Sequence, residues 1–205
     1  MNRMNRTSRK KRVEIMIIVA MCIVAVIFLM PYVWMILNSF KDKTEIMKGK
    51  TFLPSKLILD NYLKVITKSP IIHWFFNSVF VTVIGTVITL FTSSLAGFVF
   101  AKYQFKAKNF IFFIILATMM VPSQVTMIPS FLIIDKLGMY DKLSALIVPG
   151  MVGGFGIFLC RQFIEDIPDS LCEAAAIDGA TDFFIYARII VPLIKPAIGA
   201  LTIFT

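Results

Sequence analysis

Four long stretches of this chain carry no Asp, Glu, Lys or Arg: residues 15–37, 69–101, 109–134 and 143–160. They run for 23, 33, 26 and 18 residues, with His73 the one imidazole among them. A bilayer's hydrocarbon core is about 30 Å thick, which takes roughly 20 helical residues to cross. Three stretches reach that length and the fourth nearly does. Lipid offers no hydrogen bonds, so every backbone N–H and C=O in such a stretch must be paired inside the chain, which a helix does locally. The expectation is an all-α integral membrane protein with four complete spans. Composition agrees, since 58% of the 205 residues are hydrophobic and 16% charged. Soluble domains run at about 45–50% and about 25%.

After Lys195-Pro196 a further apolar run, AIGALTIFT, begins. Nine helical residues reach about 13 Å, less than half a bilayer. The chain is therefore expected to be truncated inside a fifth span.

Basic residues set the orientation. MNRMNRTSRKKR at the N-terminus holds six cations and no acid, which anchors that end in the cytoplasm. Alternating spans then put residues 40–71 and 135–142 outside, and 102–108 and 161–195 inside. All six Arg fall inside, whereas the outer loop 40–71 carries seven Lys and pulls the other way. A net charge of +9 on such a chain suits anionic membrane lipid rather than nucleic acid. Cys22, Cys160 and Cys172 have no paired spacing, so neither a disulfide nor a zinc site is indicated.

Chemistry is otherwise sparse. There is no GxxxxGK[ST] phosphate loop and no catalytic constellation. The complete spans hold no ionisable residue at mid-membrane, as a proton relay would require. Rings of charge or a carbonyl filter, the marks of a channel, do not appear. The chain is expected to be neither an enzyme nor a cofactor protein. Gly85, Thr89, Ser93, Gly97 and Ala101 recur every fourth residue, a small-residue stripe on which another helix can pack. Pro122 and Pro129 flank Ser123, Gln124 and Thr126, whose polar groups can repair the bonds that proline removes. Gly153 and Gly154 sit in PGMVGGFG, a hinge or close-crossing point. Ser123, Gln124, Gly153 and Gly154 are candidates for a pathway or gate.

The most telling segment is polar. Residues 173–196 read EAAAIDGATDFFIYARIIVPLIKP. Asp169 and Ser170 fit as helix caps, Glu173 sits in a first turn, and three alanines favour helix. Gly179 suits a sharp turn, and Thr181 or Asp182 can cap the next helix. Phe183, Phe184 and Tyr186 then supply bulky anchors before Pro192 and Pro196 redirect the chain. A DNA-reading helix-turn-helix has a similar outline, but its second helix here opens Asp-Phe-Phe-Ile, acidic and apolar where base readers need polar donors.

The spacing Glu173-Ala174-Ala175, three residues, Gly179, nine residues, Ile189, one residue, Val191-Pro192 resembles the EAA loop of binding-protein-dependent ABC importer permeases. Val191 stands where that family usually has Leu. Residues 59–62, 75–90, 119–133 and 146–163 extend the resemblance, most closely to the carbohydrate-uptake branch. The resemblance implies the type I importer fold with six spans in full-length members, and a core domain over 72–205. Residues 1–71 would be the basic tail, first span and outer loop. It also implies that Glu173, Ala174, Ala175, Gly179, Phe183 and Pro192 couple to a separate ATPase. The implied partners are two ATPase subunits, a second permease forming a heterodimer, and an extracytoplasmic solute-binding protein. The implied location is the bacterial inner membrane. A membrane scaffold without transport, or a subunit of another membrane complex, is the alternative, although a scaffold has no reason to keep E-A-A-x3-G.

Overall fold

The computed structural model describes the backbone of residues 2–49 and 51–205, and side chains from Lys10 onward apart from Lys50. The cations among the first nine residues thus lie outside the described side chains. All regular structure among the described residues is helical. The chain divides into two compact units, residues 1–72 and 73–205.

The first unit opens with α1 (Asn2–Ser39), of which Lys10–Ser39 is long and apolar enough to cross a membrane. Helices α2 (Lys43–Lys48) and α3 (Asp60–Lys68) follow. The lysine-rich loop is folded around two polar centres. The Glu45 carboxylate accepts from Ser55 Oγ at 2.8 Å, Thr51 Oγ1 at 2.8 Å and Ser55 N at 3.0 Å. Those donors, Ser55 Oγ first, hold its pKa below the ordinary carboxylate value. Asn61 Nδ2 donates to the carbonyls of Ser39 and Lys41 at 3.0 and 2.9 Å, tying α3 back to the end of α1.

The second unit is built on α4 (Ile71–Lys102), an unbroken apolar helix of 32 residues. After it the spans are bent. Helices α5 (Lys108–Met119) and α6 (Ser123–Lys136) meet at 100°. The single span expected over 109–134 is therefore two short helices of about 18 and 21 Å. Pro122 is the cause: it offers no N–H, steers the residue before it out of helix, and is itself extended at ψ 134°.

Helix α7 (Ser144–Ile147) runs through a 3-10 turn (Val148–Gly150) to a break, then α8 (Gly154–Glu165) continues at 43°. Gly153 is extended there, at φ −119° and ψ 128°. The carbonyls freed by the break find side-chain donors, as a low-dielectric setting demands. Thr89 Oγ1 donates to Gly150 O at 2.9 Å and Thr92 Oγ1 to Met151 O at 2.6 Å. Helix α8 outruns its apolar stretch by five residues, ending in an i,i+4 pair. Arg161 Nη2 lies 2.7 Å from Glu165 Oε1, and the guanidinium is 3.9 Å from the Phe112 ring centre.

The remaining elements are α9 (Asp169–Ile177), α10 (Asp182–Ile185), a π turn (Tyr186–Ile190), α11 (Val191–Leu193) and α12 (Lys195–Phe204). Helix α12 turns 77° from α10–α11. If each bent pair is one crossing, the described residues form up to five spans, two of them continuous.

The core lies where α4, α8 and the last helices meet. Phe98, Cys160, Ile164, Ile185, Tyr186, Ile190, Ile194 and Leu201 are buried together. The small-residue stripe makes this contact possible. Thr89, Ser93 and Gly97 are buried, and Gly156 lies so close to Ser93 that neither could carry a larger side chain without moving a helix. A Cβ on Gly97 would sit 2.7 Å from Cys160 Cβ. Gly85, nearer the other end of the stripe, faces open space.

Candidate functional site

The polar segment forms an exposed elbow. Its first arm is α9, which starts after Ile167-Pro168. Pro168 is the N-cap and makes no side-chain cap, so the capping expected of Asp169 and Ser170 is not realised. Asp169 is drawn elsewhere. The Lys102 side chain, 7% exposed at the end of α4, lies 2.6 Å from Asp169 Oδ1 and also donates to the Ile167 carbonyl. An ammonium that close to burial must be paired, and a charge-assisted partner outcompetes a cap.

The first arm ends as alanine propensity gives way to glycine. Gly179 N–H donates to Ala176 O and Ala180 N–H to Ala175 O, both at 3.0 Å. Gly179 is left-handed at φ +83°, the conformation that closes such a helix end and that a Cβ disfavours. Thr181 then caps the second arm, accepting from Phe184 N–H at 3.3 Å. That arm widens into the π turn at Tyr186–Ile190. Pro192 lies just beyond; it has no N–H to return to the carbonyl four residues back, which disrupts the α ladder there.

Glu173, Ala174, Gly179, Phe183 and Pro192 are exposed, while Ala175 is half-buried against the core. Phe183 and Phe184 are 64% and 52% exposed. Tyr186 departs from the expectation of a third outward anchor. It is 5% exposed, its hydroxyl 2.8 Å from Ser94 Oγ and its ring beside Phe98. Ile177, at 86%, and Leu171 are exposed apolar side chains that the sequence reading passed over. Their signal was an apolar residue inside an otherwise polar turn. A cavity of about 490 Å³ opens between α4 and the second arm, lined by Phe98, Tyr103, Asp182, Phe183 and Tyr186. Phe183 thus stands at the rim of a hollow.

Burial, with Asp182 beside it, pushes the Tyr103 phenol up to about 12. Burial also raises the Cys172 thiol, so it is poor in thiolate and unsuited to nucleophilic work. Among the described residues no group of three His, Cys, Asp or Glu is placed to hold a metal. The elbow offers an apolar and acidic contact surface.

The four pathway candidates sit at the two helix breaks, Ser123 and Gln124 after the first, Gly153 and Gly154 at the second. Ser123 and Gln124 are exposed in the first turn of α6. Gly153 is the extended residue at the α8 break, and Gly154 is pressed on α5, where an added Cβ would meet Ile115 O at 3.0 Å.

Residues 93–205, from mid-α4 to α12, match the family described as binding-protein-dependent transport system inner membrane component. The chain belongs to that family. It is 36% identical over 184 residues to the arabinooligosaccharides transport system permease protein AraQ of Halalkalibacterium halodurans, and 37% identical over 183 residues to AraQ of Bacillus subtilis. These alignments cover 88% and 87% of this chain but 66% and 65% of the relatives, so it spans just under two thirds of their length. One solved structure, a bacterial ABC transporter involved in import of the acidic polysaccharide alginate, superposes with a TM-score of 0.84 at 28% identity. That match covers 100% of this chain and 71% of the other. The fold is that of an ABC importer's membrane-spanning subunit, and the protein is an integral membrane protein.

Proposed function

We propose that the protein is the permease subunit of an ATP-driven importer for a sugar or oligosaccharide, and that the elbow at 173–192 docks its ATPase. The observation that carries the reading is the elbow itself: a knob closed by Gly179, with Glu173, Ala174 and Phe183 facing out. Carbohydrate is supported by the relatives' names. Solute binding would fall mainly to an extracytoplasmic binding protein, seated partly on the folded loop 40–71, and hydrolysis to two separate ATPase subunits. A second permease completes the pathway as a heterodimer. In this reading the N-terminus is cytoplasmic and residues 72–205 are the transport core. Ser123, Gln124, Gly153 and Gly154 are its pathway or gate residues.

Coupling of this kind needs docking free energies that differ between the inward- and outward-facing states. Gly179→Asp strains a left-handed position and sets a charge on the docking surface, and Glu173→Lys reverses an exposed charge in the middle of α9, not in its first turn as the sequence suggests. Both are expected to leave insertion and permease pairing intact while releasing the ATPase or uncoupling hydrolysis from uptake. Co-purification of the ATPase and transport in vesicles measure this. Wild-type retention together with wild-type uptake in both variants would refute the docking role.

A further inference from the structure

The two arms of the elbow are joined to α4 at separate polar points: at one the Lys102 side chain is nearly buried while its partner Asp169 is exposed, and at the other the Ser94–Tyr186 contact is buried. Near the cytoplasmic end, Lys102 donates to the Ile167 carbonyl and pairs with Asp169 at 2.6 Å, gripping the start of the first arm. Eight residues earlier, Ser94 Oγ meets the Tyr186 hydroxyl at 2.8 Å, gripping the second arm from a buried position. Eight helical residues separate the joints by about 12 Å along α4. The second arm is also packed into the core through Ile185 and Ile190, so the two polar joints at that spacing add a fixed register of the elbow along α4 to what packing already supplies. Phe98 fills the space between them, with its ring centroid 5.5 Å from Tyr103 and 5.8 Å from Tyr186. A Cβ on Gly179 would meet nothing within 4 Å, and Glu173, Ala174 and Phe183 are exposed.

A mostly buried ammonium is an expensive way to hold a loop unless its direction matters. An apolar residue at 102 would pack in the same place without needing partners. Helix α4 in turn holds the broken span, through Thr89 and Thr92 on the carbonyls of Gly150 and Met151.

We propose that Lys102 is a positioning residue for coupling, which makes the elbow and α4 one rigid lever, with the Ser94–Tyr186 bond as its second joint. The proposal rests on the docking role assigned above to the elbow. Docking then moves α4 as the elbow moves, and severing a joint lets the elbow ride on the ATPase with the helices it is continuous with while α4 stays behind.

The test uses the complete importer in vesicles, with ATP hydrolysed per solute imported as the readout. Lys102→Met is expected to keep the ATPase bound and hydrolysing while uptake per ATP falls at least tenfold. Lys102→Arg, which restores a cation with donors, should return it to within about threefold. Tyr186→Phe removes one hydroxyl and leaves Ser94 its bond to Leu90 O at 2.6 Å. It carries the test if Lys102→Met fails to assemble, with an expected fall of threefold or more. Wild-type uptake per ATP in these variants overturns the lever. So does loss of the ATPase from assembled Lys102→Met complexes, which would place Lys102 in docking itself. If the elbow is not the docking site, Gly179→Asp will also be silent; if only the lever is wrong, Gly179→Asp alone will uncouple.

Discussion

The contact between α4 and α8 depends on Gly97, and Gly97→Ala measures how much. A Cβ there would lie 2.7 Å from Cys160 Cβ, 2.9 Å from Arg161 N and 3.1 Å from Cys160 C. Ordinary carbon contacts lie at about 3.5–4.0 Å. The helices must therefore part by about 1 Å, since two of the three atoms are backbone and cannot rotate away. Overpacking of this kind typically destabilises by about 1–3 kcal/mol. Alanine's better helix propensity offsets about 1 kcal/mol, which leaves a net loss of about 0–2 kcal/mol and a gap of about 1–3 kcal/mol from an alanine placed where there is room. Gly85→Ala is the control, in the same helix with no atom within 4 Å of the added Cβ; it should be neutral or slightly stabilising. Unfolding in mixed micelles reads the difference. Cys160, fully buried against Gly97, gives a second signal: with Cys22 and Cys172 replaced by Ser, its alkylation should quicken in Gly97→Ala only. Equal stability of the two alanine variants, with Cys160 protected in both, would refute the close-crossing argument.

Thr89→Val and Thr92→Val each strip a donor from the broken span and should cost about 1 kcal/mol in the same unfolding assay; no loss from either would mean the carbonyls at the break find other partners. Tyr103 should titrate near 12 in a phenolate absorbance difference against Tyr103→Phe. Its raised pKa favours the neutral phenol in the folded state, so this stabilisation is intact below about pH 10 and lost as pH rises towards 12; a phenolate forming near 10 would count against its burial. An impermeant thiol reagent applied to intact cells should label Lys56→Cys and spare Gln104→Cys, and the reverse pattern would invert the topology.

Membrane residence and helicity were legible from sequence, because burial in lipid is a property of runs. A charge-free stretch of sufficient length is committed to helix whatever it packs against. The Gly179 turn and the Thr181 cap were legible for a related reason, since they depend on one residue's own conformational and hydrogen-bonding preferences. The small-residue stripe could be read as a packing face, though not which part of it is used. That Ser93 and Gly97 meet α8 while Gly85 faces open space depends on where the helices cross. The proline at 122 was visible; the 100° angle it produces was not, because the direction of a bend is set by what each half packs on. Tyr186 and Asp169 were misassigned for the same reason. By local pattern one is an aromatic beside two exposed ones and the other an acid at a helix start. Their roles are decided by Ser94 and Lys102, 92 and 67 residues away in the chain. Local preference carried the elements, and only the long-range contacts of α4 determined which side chains face outward and which hold the elbow in place.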